Sequence, residues 1–199
     1  VARNEYGTPL VNDAFAKAEQ HSPHQFLCYL NGDIILMSDF MRALEQVVRR
    51  KRRFLMVGRR CDLDITVPLN FDADWEQRLR TEAQQHGRLR SVNAIDYFAF
   101  PRGMWDNLPP FIVGRPGWDN GMIYQAWVRN MAVIDVSPSV LIVHQNHDYS
   151  HNPTGTGQKG LWEGPEQRRN YALAKHSSFN INDSSGVLYP EGIRWPITS

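Results

Sequence analysis

The chain has 199 residues, of which 42% are hydrophobic and 22% charged, a composition typical of a soluble globular domain with a sizeable core. Its net charge of +1 provides no overall field that would favour nucleic acid or an anionic membrane as a partner. No run approaches the roughly 18 apolar residues of a membrane span, and no signal peptide is evident. We therefore expect a cytoplasmic protein.

Predicted helices and strands alternate along the chain, as their apolar periodicity indicates. In chain order they are the helix VNDAFAKAEQH, the strand FLCYL, the helix FMRALEQVVRRKRR, the strand FLMVGRR, the helix DADWEQRLRTEAQQHG, the strand DYFAF, the helix MIYQAWVRN, the strands AVIDVSP and SVLIVHQ, and the helix GPEQRRNYALAKH. This alternation predicts a single α/β domain, a mixed sheet flanked by helices. We expect residues 1–152 to form its core and residues 153–199 to add a loop, a helix and a polar tail packed on it.

The first candidate site follows the strand FLCYL, which leads into Asn31, Gly32 and Asp33. An ionised carboxylate beside an apolar strand is costly unless a positive charge neutralises it. Side chains at positions i and i+2 of a strand end face the same way, so Asn31 and Asp33 can chelate one hard cation. An acid after a strand is also a common turn or capping residue. A second Asp-x-Asp, formed by Asp62 and Asp64, competes for the metal but is expected to follow its strand rather than to end it.

Histidines are concentrated in the segment HQNHDYSH, residues 144–151. His144 closes the predicted strand SVLIV, and a strand end fixes the direction of an imidazole that binds Mn²⁺ or Zn²⁺. The same histidines would also serve as hydrogen-bonding groups of a polar loop. Together with Asp148 and His151, His144 and His147 would suit a metal-dependent hydrolase.

A third candidate is the segment GRPGWDNG, residues 114–121, in which glycines allow tight turns before a helix. Asp119 is well explained as the N-cap of this helix. An acid at a helix N-terminus beside Trp118 also suits a general base or a ligand of sugar hydroxyls.

Taken in this order, the motifs resemble those of the metal-dependent glycosyltransferases of the GT-A fold, a Rossmann-like fold. Their Asp-x-Asp motif corresponds to residues 31–33, where Asn31 replaces the first acid. Their acceptor-binding or base-supplying segment resembles residues 116–120, and their late-strand metal-binding histidine resembles His144, with His147 as the alternative. The similarity covers about residues 1–150. No counterpart of the first strand–helix unit, which holds the nucleotide base in that fold, precedes Val1. The resemblance therefore implies either a shortened version of the fold or a chain that lacks part of its donor site.

The resemblance implies transfer of a sugar from a nucleoside-diphosphate sugar, a UDP-sugar in the first instance, to a hydroxyl acceptor. Asp33, His144 and Asn31 would hold a divalent cation, Mn²⁺ or Mg²⁺, that bridges the donor's diphosphate. The residues expected against the donor's phosphates are Gly32, Asp33, Arg59 and Arg60, of which the arginines would add charge-assisted contacts.

The resemblance also assigns an acceptor side to the site, where Asp119 would deprotonate the attacking hydroxyl. The residues expected to bind the acceptor or the sugar are Trp118, Asn120, Asp96 and Tyr97, although both aromatic rings equally suit a core. The Gly-rich segment HNPTGTGQKG is expected to be a mobile loop that closes as a lid. Beside the transferase, a non-catalytic nucleotide-sugar or carbohydrate-binding relative and the hydrolase stay open.

Overall fold

The computed structural model describes residues 1–147, 163–175 and 178–196. The helices of these residues are α1 (Val11–His21), α2 (Ser38–Arg50), α3 (Trp75–His86), α4 (Trp118–Val128) and α5 (Pro165–Leu173), with a 3₁₀ helix at Ile181–Asp183. The strands are β1 (Phe26–Leu30), β2 (Ile34–Ile35), β3 (Phe54–Val57), β4 (Arg60–Leu63), β5 (Arg88–Leu89), β6 (Tyr97–Pro101), β7 (Ala132–Asp135), β8 (Ile142–Gln145), β9 (Gly186–Tyr189) and β10 (Gly192–Arg194). Among the described helices, none has the length and apolarity that a membrane span requires.

In the described part of the chain the strands form two mixed sheets, a larger one in the order β1-β6-β3-β7-β9-β10 and a smaller one in the order β2-β8-β4-β5. The larger sheet has a parallel centre, β3 with β7 and β7 with β9, and antiparallel pairs at both edges. In the smaller sheet β8 is antiparallel to β2 and parallel to β4. The expectation of a single α/β domain with a mixed sheet flanked by helices is confirmed.

Helices cover both faces of the larger sheet. The four residues of β3 are completely buried. Leu55 and Val57 pack in one cluster with buried residues of α1 and α4, whereas Phe54 and Met56 pack with buried residues of α2. The continuous apolar run FLMV is therefore typical of a strand that is covered on both faces. On the smaller sheet, α3 packs against buried residues of β4 and β8.

Five of the described strands lie where the sequence predicts no strand, among them the two-residue strands β2 and β5. Part of the segment CDLDITVPLNF, which follows the predicted strand FLMVGRR, belongs to β4, and the expected polar tail contains the hairpin of β9 and β10. These strands are two to four residues long, which is too short for an alternation of apolar and polar residues to be recognised in the sequence. The C-terminal segment thus contributes strands to the larger sheet in addition to a helix packed on it.

Helix α5 is anchored by the side chain of Asn170, which is completely buried. Its Oδ1 accepts a hydrogen bond from the backbone N–H of Ile112 at 2.8 Å. Its Nδ2 donates to the backbone carbonyls of Ile112 and Arg115, both at 3.0 Å. These three bonds hold α5 against the loop that leads into α4.

Replacing Asn170 with alanine should lower the free energy of unfolding by about 2–3 kcal/mol, because it leaves the buried polar groups of Ile112 without partners. Urea unfolding followed by circular dichroism measures this change. The matched control is Asn182→Ala at an exposed position, where a change below about 0.5 kcal/mol is expected. Equal stability of the two variants would contradict the anchoring role of Asn170.

Candidate functional site

A cavity of about 500 Å³ lies beside the ends of β1 and β8, the start of β4 and the loop before α4. Most of its wall comes from loops and strand ends. The titratable side chains that matter most for its chemistry are Asp33, Arg60, Asp96, Asp119, His144 and His147. This cavity combines the three motifs that the sequence indicates separately.

The register of β8 brings the metal-binding candidates together. β8 pairs with β2 on one side and with β4 on the other, and His144 lies opposite both Ile34 and Asp62. The backbone N–H of Gln145 donates to the carbonyl of Asp33 at 2.9 Å, which extends the ladder to the turn before β2. The imidazole of His144 consequently lies between two carboxylates from separate parts of the chain.

Asp33, His144 and His147 form a cluster that could hold a metal ion, with one ligand atom of each residue lying within 4.8 Å of the others. Oδ2 of Asp33 is 3.3 Å from Nε2 of His144 and 3.2 Å from Nε2 of His147. Oδ1 of Asp33 is buried and accepts no hydrogen bond from another described residue, so a cation would complete its environment. One carboxylate and two imidazoles are a ligand set that fits a divalent transition metal.

Asp33 is ionised under neutral conditions. Burial by itself would raise the pKa of Asp33. The hydrogen bond and charge of His144, a backbone hydrogen bond and the hydrogen bond of His147 outweigh this effect and hold the pKa of Asp33 below its ordinary value. Metal coordination requires a deprotonated carboxyl group, so the state of Asp33 at neutral pH is the one that binds a cation.

Asn31, predicted as a metal ligand, lies in the cavity wall and binds another carboxylate. Its Nδ2 donates to Oδ1 of Asp96 at 2.7 Å, and its backbone N–H donates to the carbonyl of Asp96. Asp96 also accepts two hydrogen bonds of 2.9 Å from Nη1 of Arg60. Burial raises the pKa of Asp96 although Arg60 opposes the shift. Among the described residues, His147, the alternative ligand, completes the metal cluster.

Neither Asp62 nor Asp64, the two acids of the second Asp-x-Asp, lines the cavity, but Asp62 contacts a residue that does. Oδ1 of Asp62 lies 3.2 Å from Nδ1 of His144. Asp64 is exposed and accepts a hydrogen bond from Nδ2 of Asn146. The contact of Asp62 with His144 depends on the pairing of β4 with β8, which leaves no local signal in the sequence.

The first turn of helix α4 places Asp119 in the wall of the cavity. Gly117, just before the helix, has φ of 93°, and a Cβ there would lie only 3.0 Å from the ring of Tyr171. The turn therefore requires glycine. Asp119 stands in the first turn and accepts a hydrogen bond from the backbone N–H of Asn120.

Burial raises the pKa of Asp119 to about 7, assisted by the nearby charge of Asp96 and opposed by backbone donors. A carboxyl group with this pKa exchanges a proton near neutrality, which is the property that a general base or acid needs. Asp119 lines the same cavity as the metal cluster, although the two are separate in sequence.

Gly32 and Trp118 also line the cavity, as predicted. Trp118 is nearly buried and packs edge-on against Tyr29, so only a small part of its ring faces the open volume. Arg90 and Arg115 line the cavity as well, and sequence reasoning missed both. No local pattern distinguishes them from other surface arginines.

Three predicted residues are not among those that line this cavity: Tyr97, Asn120 and Arg59. Tyr97 is only 1% exposed and packs against Phe40 of α2, so its ring offers no face to a sugar. Asn120 donates its amide to the carbonyl of Phe179. Arg59 donates through Nε to the carbonyl of a neighbouring backbone segment. Asp148, His151 and the proposed lid HNPTGTGQKG lie outside the described residues.

Comparison with known proteins assigns no family to this chain. No protein-family model matches its sequence, and no curated protein sequence matches it either. The residues of the cavity are therefore the basis on which a function can be argued.

Asp119 should make the stability of the protein depend on pH. Its pKa of about 7 in the folded chain lies above the ordinary value near 4 of an unfolded chain, so the folded state binds more protons between these values. The contribution of Asp119 therefore becomes less favourable as the pH rises from about 4 to about 7. Asp119→Asn removes this dependence, so the variant should gain stability relative to the wild type over that interval.

Urea unfolding of wild type and Asp119→Asn at several pH values measures the effect. The control is Asp106→Asn at an exposed position, whose difference from wild type should stay nearly constant with pH. A constant difference for Asp119→Asn as well would contradict the raised pKa.

Proposed function

We propose that the protein is a glycosyltransferase that moves a sugar from a nucleoside-diphosphate sugar, UDP-sugar in the first instance, to a hydroxyl acceptor. The observation that carries this proposal is the presence of two chemistries in one cavity. Asp33, His144 and His147 can hold a cation, and Asp119, with a pKa of about 7, can exchange a proton. The cavity volume of about 500 Å³ is of the size that encloses small molecules.

The donor side of the reaction requires a positive environment for the diphosphate. Asp33, His144 and His147 would hold Mn²⁺ in preference to Mg²⁺, since two of the three ligand atoms are imidazole nitrogens. Such a cation, when bound, neutralises the charge that develops on the leaving nucleoside diphosphate. Arg90 and Arg115 also line the cavity wall. The Nε group of each already faces a carboxylate, that of Asp62 or Glu166, so their terminal N–H groups would be the donors to phosphate oxygens.

The acceptor side requires a base. Asp119 would take the proton of the acceptor hydroxyl as that oxygen attacks the anomeric carbon, in a displacement that inverts the anomeric centre. Because its pKa is about 7, a substantial fraction of Asp119 is ionised at neutral pH, and the carboxylate is more basic than an exposed one. Trp118 borders the cavity beside Asp119 and offers an apolar edge to a sugar ring.

The metal cluster also supports a second candidate function, metal-dependent hydrolysis. Two imidazoles and one carboxylate leave coordination positions open for a water molecule and a substrate oxygen. This function does not need Asp119 or a nucleotide. A metal would then bind tightly by itself, and a nucleoside diphosphate would add nothing to its binding.

Mn²⁺ together with UDP should raise the melting temperature of the wild-type chain. A ligand at about 100 times its dissociation constant stabilises by about 2.7 kcal/mol, which corresponds to about 5–10 °C for a chain of this size. Asp33→Asn should abolish the shift, whereas Asp64→Asn, a control at an exposed carboxylate, should retain it. A shift with Mn²⁺ alone that UDP does not increase would favour the hydrolase.

Nucleoside diphosphate should be released when the chain is mixed with Mn²⁺, hydroxyl acceptors and a panel of nucleotide-sugars. Asp119→Asn should lower kcat by about 10²-fold or more, since proton transfer by a positioned side chain contributes about this factor. In the wild type, kcat/KM should rise with pH through about 7 as Asp119 ionises.

The control for this experiment is Asp106→Asn, which should turn over at the wild-type rate because it lies outside the cavity wall. Binding of nucleotide-sugars without release of nucleoside diphosphate from any of them would refute the transferase and identify a non-catalytic binding protein.

A further inference from the structure

We infer that Asp62 is a positioning residue, which fixes the imidazole of His144 so that Nε2 faces the proposed metal. This inference rests on the proposed function, since it takes the cluster of Asp33, His144 and His147 as the metal site. Asp62 is not a member of that cluster. Its action would pass entirely through the second nitrogen of His144.

The surroundings of His144 restrict the orientation of its imidazole ring. Nε2 lies 3.3 Å from Oδ2 of Asp33, and Nδ1 lies 3.2 Å from Oδ1 of Asp62. The side chain of His144 is only 5% exposed, so water has little access to either nitrogen. Asp62 and His144 are directly paired in the parallel ladder of β4 and β8, which directs both side chains to the same face of the sheet.

This arrangement selects one tautomer of the imidazole. A histidine that binds a metal through one nitrogen usually donates the N–H of its other nitrogen to a carboxylate or a carbonyl. Nδ1 of His144 and Oδ1 of Asp62 lie 3.2 Å apart without an aligned hydrogen bond in this structure, and a small rotation of either side chain would let Asp62 accept from Nδ1–H. Nε2 of His144 would then present its lone pair to a cation bound between Asp33 and His147.

Asp62 is itself held by two arginines. Nε of Arg60 lies 2.9 Å from its Oδ1, and Nε of Arg90 lies 3.3 Å from its Oδ2. Arg60 also binds Asp96 on the same cavity wall. The two guanidinium groups lie against both oxygens of Asp62 and offset its charge.

These contacts decide which substitution is informative. All three neighbours of the Asp62 carboxylate are donors: the Nδ1–H of His144 and the guanidinium groups of Arg60 and Arg90. Asparagine has a single acceptor oxygen, so Asp62→Asn must present its amide N–H group to one of these donors. Asp64→Asn is the matched control, because it makes the same chemical change two residues away at an exposed carboxylate.

Two measurements on the full chain test the inference. Calorimetric titration with Mn²⁺ should show that Asp62→Asn binds about 10- to 100-fold more weakly than wild type, whereas Asp64→Asn binds within about twofold. Long-range ¹H–¹⁵N correlation spectra of the metal-free chain, in which His144→Gln identifies the signals, should show a proton on Nδ1 of His144, whether or not Nε2 also carries one next to Asp33. In Asp62→Asn the proton should be lost from Nδ1, at least in part.

Unchanged Mn²⁺ affinity in Asp62→Asn, or the absence of a proton from Nδ1 of His144 in the wild type, would overturn the inference. If Asp62→Asn does not fold, the position of the proton in the wild type decides. Absence of Mn²⁺ binding by the wild type would refute the metal-dependent function, and the spectra would then still show whether Asp62 orients His144. The two failures are thus distinguishable.

Discussion

The candidate site depends on the register of β8 between β2 and β4. His144 faces the cavity because it is paired with Ile34 on one side and with Asp62 on the other. A slip by one residue would place Val143 at this position and turn the imidazole to the opposite face of the sheet. Val143 packs in the cluster beneath α3, so the same slip would also remove an apolar residue from the core. Apolar packing and ligand geometry therefore favour the same register.

A second constraint connects the smaller sheet to the larger one. Arg60 lies in β4 of the smaller sheet, and Asp96 lies directly before β6 of the larger sheet. Their side chains are only 14% and 9% exposed, and the guanidinium group binds Asp62 as well. Loss of one partner from a buried ion pair leaves an uncompensated charge, which costs about 3–5 kcal/mol. The ion pair thus fixes the relative position of the two strands that supply the centre of the cavity wall.

The sequence predicted the parts of the site that depend on local structure. Asp33 follows a recognisable apolar strand and His144 closes another, so the location of both residues could be predicted from the sequence alone. The contribution of Asp62 could not, because it depends on pairing with a strand 82 residues further along the chain. The face of the sheet on which the Tyr97 side chain lies could not be predicted from the sequence either. Its strand is buried on both faces, so apolar residues at successive positions give no sign of which face meets the cavity.

The structure gives a physical reason for asparagine at position 31. Asp33 and Asp96 already bring two carboxylates to this wall, and the amide of Asn31 donates to Asp96 at 2.7 Å. An ionised aspartate at position 31 could not donate to Asp96 and would repel it. Asp96 would then lose one of the donors that offset its burial. Asp33 is then the single acid of the triplet, and His144 and His147 complete with it the cluster that could hold a metal ion.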